Sequence, residues 1–102
     1  MRRLFTSIRI LLAVFLTAVL LSACAGPPVQ EMSDARQAIS AAEQAGAEGS
    51  APAQIHRAQS LLRDAEFKLQ KKAYNGARKD ARMAKDKAVE ALGIAREKGD
   101  LP

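Results

Sequence analysis

Residues 74–95 decide the fold: Tyr74-Asn75-Gly76-Ala77-Arg78-Lys79-Asp80-Ala81-Arg82-Met83-Ala84-Lys85-Asp86-Lys87-Ala88-Val89-Glu90-Ala91-Leu92-Gly93-Ile94-Ala95. The alanines at 77, 81, 84, 88, 91 and 95 recur at intervals of 4, 3, 4, 3 and 4. That spacing returns to one face of a helix at every turn and does not fit the period of two of a strand. Met83, Val89 and Leu92 flank the strip, and charged side chains fill most of the remaining positions. A seam of alanine lets helix axes approach near the short end of the usual ~8–10 Å. The segment therefore needs partner helices that bring larger side chains to it.

The nearest partner lies just upstream. Ile55, Ala58, Leu62, Ala65 and Leu69 form a second stripe, widened by Leu61. Asp64 and Lys68 stand four apart in the order that favours a helical ion pair. Lys71-Lys72-Ala73-Tyr74-Asn75-Gly76 separates the two stripes and reads as a turn. An antiparallel hairpin follows, with Leu62 and Leu69 against the alanine strip. The competing reading is one long helix through residue 74 that tolerates Gly76. Further upstream, Met32, Ala35, Ile39, Ala42 and Gly46 form a third stripe. Gly46 is placed to cap its C-terminus, and Gly49 opens a flexible turn. Ser50 is placed to accept a bond from the first turn of the next helix, and Pro52 fits inside that turn.

No stretch downstream of residue 28 alternates apolar and polar residues in a β-branched background. The class is all-α: a small antiparallel three-helix domain over 29–99, with helices at about 29–45, 51–71 and 75–98. Heptad-like spacing predicts coiled-coil-like packing.

The N-terminal segment obeys a different logic. Arg2, Arg3 and Arg9 precede the apolar run Leu11 to Leu21, and small residues follow it. A basic start, a short apolar core and a small-residue end are the three parts of a secretory signal. The apolar core at 10–21 rises only ~18 Å as a helix, short of the ~30 Å hydrocarbon layer of a bilayer. It is expected as a helix without a packing partner, and an uncleaved membrane anchor is the rival reading. Leu21-Ser22-Ala23-Cys24 resembles the lipobox of bacterial lipoproteins and holds the chain's single cysteine. The resemblance implies a signal peptide over 1–23, diacylglycerol on the Cys24 sulfur and an N-acyl chain on its amine. Residues 24–28 would be the lipidated cysteine and a proline-stiffened linker that lifts the domain off the membrane. In such lipoproteins of enteric bacteria an Asp after the cysteine commonly retains the protein in the inner membrane. Ala25 stands there instead. This implies a periplasm-facing protein anchored in the outer membrane, or in the inner membrane where sorting differs.

Cleavage before Cys24 leaves 79 of the 102 residues, enough for one small domain. The full-length charge of +5 falls to about +2 when the three leader arginines depart. Residues 24–50 carry Glu31, Asp34, Glu43 and Glu48 against Arg36, whereas residues 51–98 carry twelve Lys or Arg against six acids. An acidic helix packed beside a basic one accounts for that asymmetry. A basic surface for anions is the other account. One Cys excludes an intrachain disulfide, and one His gives no metal-ligand spacing. No Gly-rich phosphate loop or Ser–His arrangement is present. Catalysis, a metal and a small-molecule substrate are not expected, and export argues against nucleic acid despite a pI near 9.8.

The segment from Ala35 to Glu97 resembles the bacterial lipoprotein family defined by domain of unknown function 4398. The resemblance is carried by Ala38, Ala42, Ala51-Pro52, Ala58, Leu62, Ala65, Leu69, Tyr74, Ala77, Ala81, Ala84 and Ala88. Tyr74-x-x-Ala77 also looks like the turn of a tetratricopeptide helix pair. Family members usually place Gly-Asp or Gly-Asn before the Tyr, where this chain has Lys72-Ala73. The family brings no known activity.

Lys68, Lys71, Lys72, Arg78, Lys79 and Arg82 gather about the hairpin turn and form the candidate surface for a partner or an anion. Tyr74 and Phe67 are expected to fill the core there, with an anchoring role as the alternative. Asp80 and Asp86 read as solvated members of a mixed charged face, and His56 as a surface residue. The expected function is a non-catalytic envelope lipoprotein whose helical domain docks a protein or a second copy of itself. The alternative is a binder of lipopolysaccharide or cell-wall polymer.

Overall fold

A computed structural model describes the backbone of residues 2–99 and the side chains of residues 2–18 and 26–99. It is all-α, with no strand among the described residues. The helices are α1 (Arg2–Ala25), α2 (Val29–Gln44), α3 (Ala47–Ser50), α4 (Pro52–Gln70) and α5 (Tyr74–Gly99). Helices α2, α4 and α5 run up, down and up. α5 lies between the other two and packs extensively on both, while α2 and α4 touch each other less.

The alanine periodicity explains this arrangement. Ala77, Ala81, Ala84, Ala88 and Ala91 are fully buried and Ala95 nearly so. Seventeen apolar side chains outside α1, Pro28 among them, are buried among the described residues, and twelve are alanine. Such a core gains little volume per residue. It holds by close approach of backbones and by side chains that lose no rotamer freedom on burial. Met32, Ile39, Ile55 and Leu61 supply the bulk. Met32 and Leu61 meet Ala81 and Ala84 at one end, whereas Ile39 and Ile55 meet Ala88, Ala91 and Ala95 at the other. The expected contact of Leu62 and Leu69 is shifted. Leu61 is the buried member of α4, and Leu62 and Leu69 sit half-buried at the edge of the clusters. A helix wedged beside two partners takes its inward direction from both, which a single stripe does not encode.

The two corners are built differently. Gly46 follows α2 with φ 87, and its amide donates to the Glu43 carbonyl at 3.0 Å. Residues 47–50 then form one helical turn with Ala47 buried, where the sequence suggested a flexible break. That turn takes Ser50, whose hydroxyl donates to the Gly46 carbonyl at 3.1 Å. The N-cap of α4 therefore falls to Ala51, with Pro52 in the first turn and no side-chain cap. Gly46→Ala should destabilise the protein by about 1 kcal/mol, because alanine resists the left-handed region. Gly49→Ala, in open space within α3, should be neutral or mildly stabilising by comparison. Urea denaturation followed by circular dichroism measures both.

The α4–α5 turn rules out a continuous helix through residue 74. The Lys72 amide donates to the Leu69 carbonyl at 3.0 Å, and the Ala73 amide to the Lys68 carbonyl at 2.9 Å. This is a Schellman closure, and its left-handed position is Lys72 at φ 61. Glycine suits that position better. Lys72→Gly should raise the unfolding free energy by about 1 kcal/mol in the same assay.

Helix α1 forms no comparable interface. Its apolar side chains from Leu4 to Leu16 are 49–70 % exposed. Among the described residues, no helix is long and apolar enough to cross a membrane.

Candidate functional site

The parallel course of α2 and α5 brings three chain segments to one end of the bundle: the approach to α2, the end of α4 and the start of α5. Lys68, Lys71, Lys72, Tyr74, Arg78, Lys79 and Arg82 lie at or near this end. Their charges divide into two groups.

One group is spent on internal acids. Lys68 Nζ donates to Asp80 Oδ2 at 2.7 Å. Asp80 is only 8 % exposed, which corrects its reading as a solvated surface residue. Gly76 leaves the Lys68 stem room to lie over α5, since a Cβ there would stand 3.1 Å from Lys68 Cδ. The pair also takes Lys68 from its expected partner Asp64, because a largely buried carboxylate gains more from a charged donor than an exposed one does. Arg78 Nε lies 3.4 Å from Glu31 Oε1 on α2, and the Arg82 guanidinium lies 3.7 Å from the same oxygen.

Arg78 makes a second bond that alters the role of the linker. Its Nη2 donates to the Gly26 carbonyl at 2.8 Å, across 52 residues of sequence. Pro28 is fully buried, and its carbonyl accepts the Met32 amide at 3.0 Å. Residues 26–28 are thus part of the bundle rather than an extended spacer. Arg78→Gln should cost about 1–2 kcal/mol, since a charged donor leaves a carbonyl and a carboxylate behind in a half-buried place. Faster amide hydrogen exchange at Val29 and Gln30 would report the loosened segment.

The second group consists of Lys71, Lys72 and Lys79. Each is exposed and without a carboxylate partner among the described residues. Lys71 Nζ lies 4.5 Å from the centre of the Phe67 ring. Phe67 is 56 % exposed, so it is no core filler, and Tyr74 is half-buried. Phe67 points outward because it sits two residues past Ala65, on the far side of α4.

The opposite end has another character. Gln59 Nε2 donates to Glu43 and to Glu48, each at 3.0 Å. The exposed His56 ring lies 2.9 Å from Glu48. The Gln59 hydrogen bond, followed by His56, holds the Glu48 carboxyl below the usual carboxylate range. A groove of about 220 Å³ between α4 and α5 is lined by Ala53, Gln54, Arg57, Lys87 and Glu90. Lys87 and Glu90 pair at 3.1 Å, and no nucleophile stands beside them. Among the described residues, no group of three or more His, Cys, Asp or Glu is placed to hold a metal. The side chains of Leu21, Ser22, Ala23 and Cys24 lie outside those described.

Spacing along α5 exposed the basic gathering but not its acidic counterparts. Glu31 belongs to another helix, and the Gly26 carbonyl carries no side-chain signal at all.

An Ala-rich three-helix domain, preceded by a basic and apolar N-terminal helix, defines the class. The model of the family described as a domain of unknown function (DUF4398) matches residues 30–100, and the chain belongs to that family. The match covers α2 to α5 and does not include α1. Neither a curated protein nor a solved structure matches the chain.

Proposed function

We propose that this protein is a cell-envelope lipoprotein, held by acyl chains on Cys24, whose α2–α5 bundle is a non-catalytic interaction module. The observation that carries this reading is the leader. A basic start, an apolar run and Leu21-Ser22-Ala23 end at the chain's single cysteine, two residues before the bundle's first fixed carbonyl. The absence of an Asp at position 25 favours the outer membrane with the domain in the periplasm. A bundle closed on alanine offers its outer faces rather than an interior to a partner. Met83 and Val89 are 38 % and 52 % exposed on α5. In-cell photo-crosslinking from Lys79, Met83 and Val89, followed by mass spectrometry, tests the module. A discrete protein adduct, or a ladder of the chain itself, is expected. No protein adduct from any of the three positions overturns it.

The second reading is recognition of an anionic envelope component by the α4–α5 turn. It is favoured by Lys71, Lys72 and Lys79, which lack internal acids while their neighbours have them. Binding of lipopolysaccharide or cell-wall polymer that survives the change of all three to Gln removes it.

A further inference from the structure

We propose that the α4–α5 turn docks on anionic phospholipid headgroups of the membrane that holds Cys24, so that the bundle stands with this end against the bilayer. The inference rests on the reading of Cys24 as the anchor and gives the turn its ligand.

The first support is the tether. Only Ala25 separates Cys24 from Gly26, whose carbonyl is held by Arg78. Two residues span at most ~7 Å. Arg78 lies on the first turns of α5, beside Lys79 and just beyond the turn. A lipid on Cys24 therefore keeps this end of the bundle within reach of the headgroup layer, and leaves its attraction to the lipid to decide whether it docks.

The second support is charge. Lys68, Arg78 and Arg82 pair with Asp80 and Glu31, which leaves Lys71, Lys72 and Lys79 for an outside anion. The far end instead balances Glu43, Glu48 and Glu97 against Arg57, Arg96 and Lys98, with no excess of positive charge. A leaflet with negative surface potential attracts the first end, with its excess of lysine, more strongly than the second. The third support is Lys72 itself. It occupies the left-handed position that glycine would fill without strain. Strain kept at a solvent-facing position points to use of the side chain. Phe67, exposed and stacked under Lys71, adds an apolar contact at the interface.

The test uses full-length protein coupled through the Cys24 thiol to a maleimide phospholipid in preformed vesicles. Cys24 is the only cysteine and the chain has no tryptophan, so Phe67→Trp and Glu97→Trp act as single probes. The two positions report opposite ends of the bundle, about 30 Å apart along its axis, because Phe67 of α4 stands level with the first turns of α5. Their quenching by a headgroup spin-labelled phospholipid is compared in pure phosphatidylcholine and in vesicles containing phosphatidylglycerol. At about fivefold per lysine, phosphatidylglycerol should raise the docked-to-undocked ratio roughly 100-fold. The signal is near-complete quenching at position 67, with position 97 unchanged. Lys71→Gln, Lys72→Gln and Lys79→Gln together should return position 67 to its level in phosphatidylcholine, and so should salt at about 0.5 M on the unaltered surface. Quenching at 67 that ignores phosphatidylglycerol, or that survives both treatments, overturns the proposal. Because the lipid is attached chemically, failure of natural acylation would appear separately, as a missing lipid mass on cell-made protein.

Discussion

Replacing Ala84 by leucine should lower the unfolding free energy by about 3 kcal/mol, the upper part of the usual range for overpacking a core. Ala84 is fully buried and packs with Met32 and Ala35 of α2, with Leu61 and Ala65 of α4, and with Ala81. Neither neighbour can retreat without opening the other interface, because α5 lies between them. Three added carbons must therefore move a helix axis rather than a side chain. A domain of this size is stable by only about 4–10 kcal/mol, at 0.05–0.15 per residue. The variant should melt roughly 15 °C lower, or fail to fold at growth temperature. Val89→Leu, on a residue 52 % exposed, should stay within about 0.5 kcal/mol of the parent. Equal urea midpoints for Ala84→Leu and Val89→Leu would show that the seam is looser than its burial implies.

The second large effect concerns location rather than stability. Cys24→Ser should abolish incorporation of a labelled fatty acid and leave the leader attached. The protein would then keep α1, whose described apolar side chains are mostly exposed. Each buried CH₂ contributes about 0.8 kcal/mol to membrane attachment, and durable anchoring needs more than one chain. A diacylglycerol on sulfur supplies two, whereas a serine hydroxyl offers that chemistry no nucleophilic thiolate. Fatty-acid labelling of the serine variant in cells, with intact-mass measurement, decides the matter. Label that persists would move the acylation site away from Cys24.

The six alanines of α5 and the four apolar positions Met32, Ala35, Ile39 and Ala42 of α2 could be read from the chain in full. Helical periodicity is local, and a stripe repeated over several turns leaves one face to bury. The same held for Gly46, whose lack of a Cβ marks the corner after α2. Ser50 and Ala47 were less legible. A single helical turn has no period to detect, and its formation depends on Ala47 reaching the groove between α4 and α5. The basic gathering at the turn was equally visible, because residues close in sequence share an axial level.

Which of those charges are occupied was settled by packing alone. Lys68 had Asp64 one turn away on its own helix, yet it meets Asp80 across the hairpin. Arg78 draws on Glu31 and on a carbonyl at residue 26. Such pairs depend on the rotation and axial offset of one helix against another, quantities set by all the seam contacts together. The chain's own order therefore determined the elements, the faces they bury and the end where the lysines collect. The tertiary structure decided that α5 stands between its partners, that Phe67 faces outward, and that, among the described residues, Lys71, Lys72 and Lys79 at the turn are left without an internal acid. Periodicity acts through neighbours a turn apart, whereas charge pairing acts through whatever the fold brings within a few ångströms.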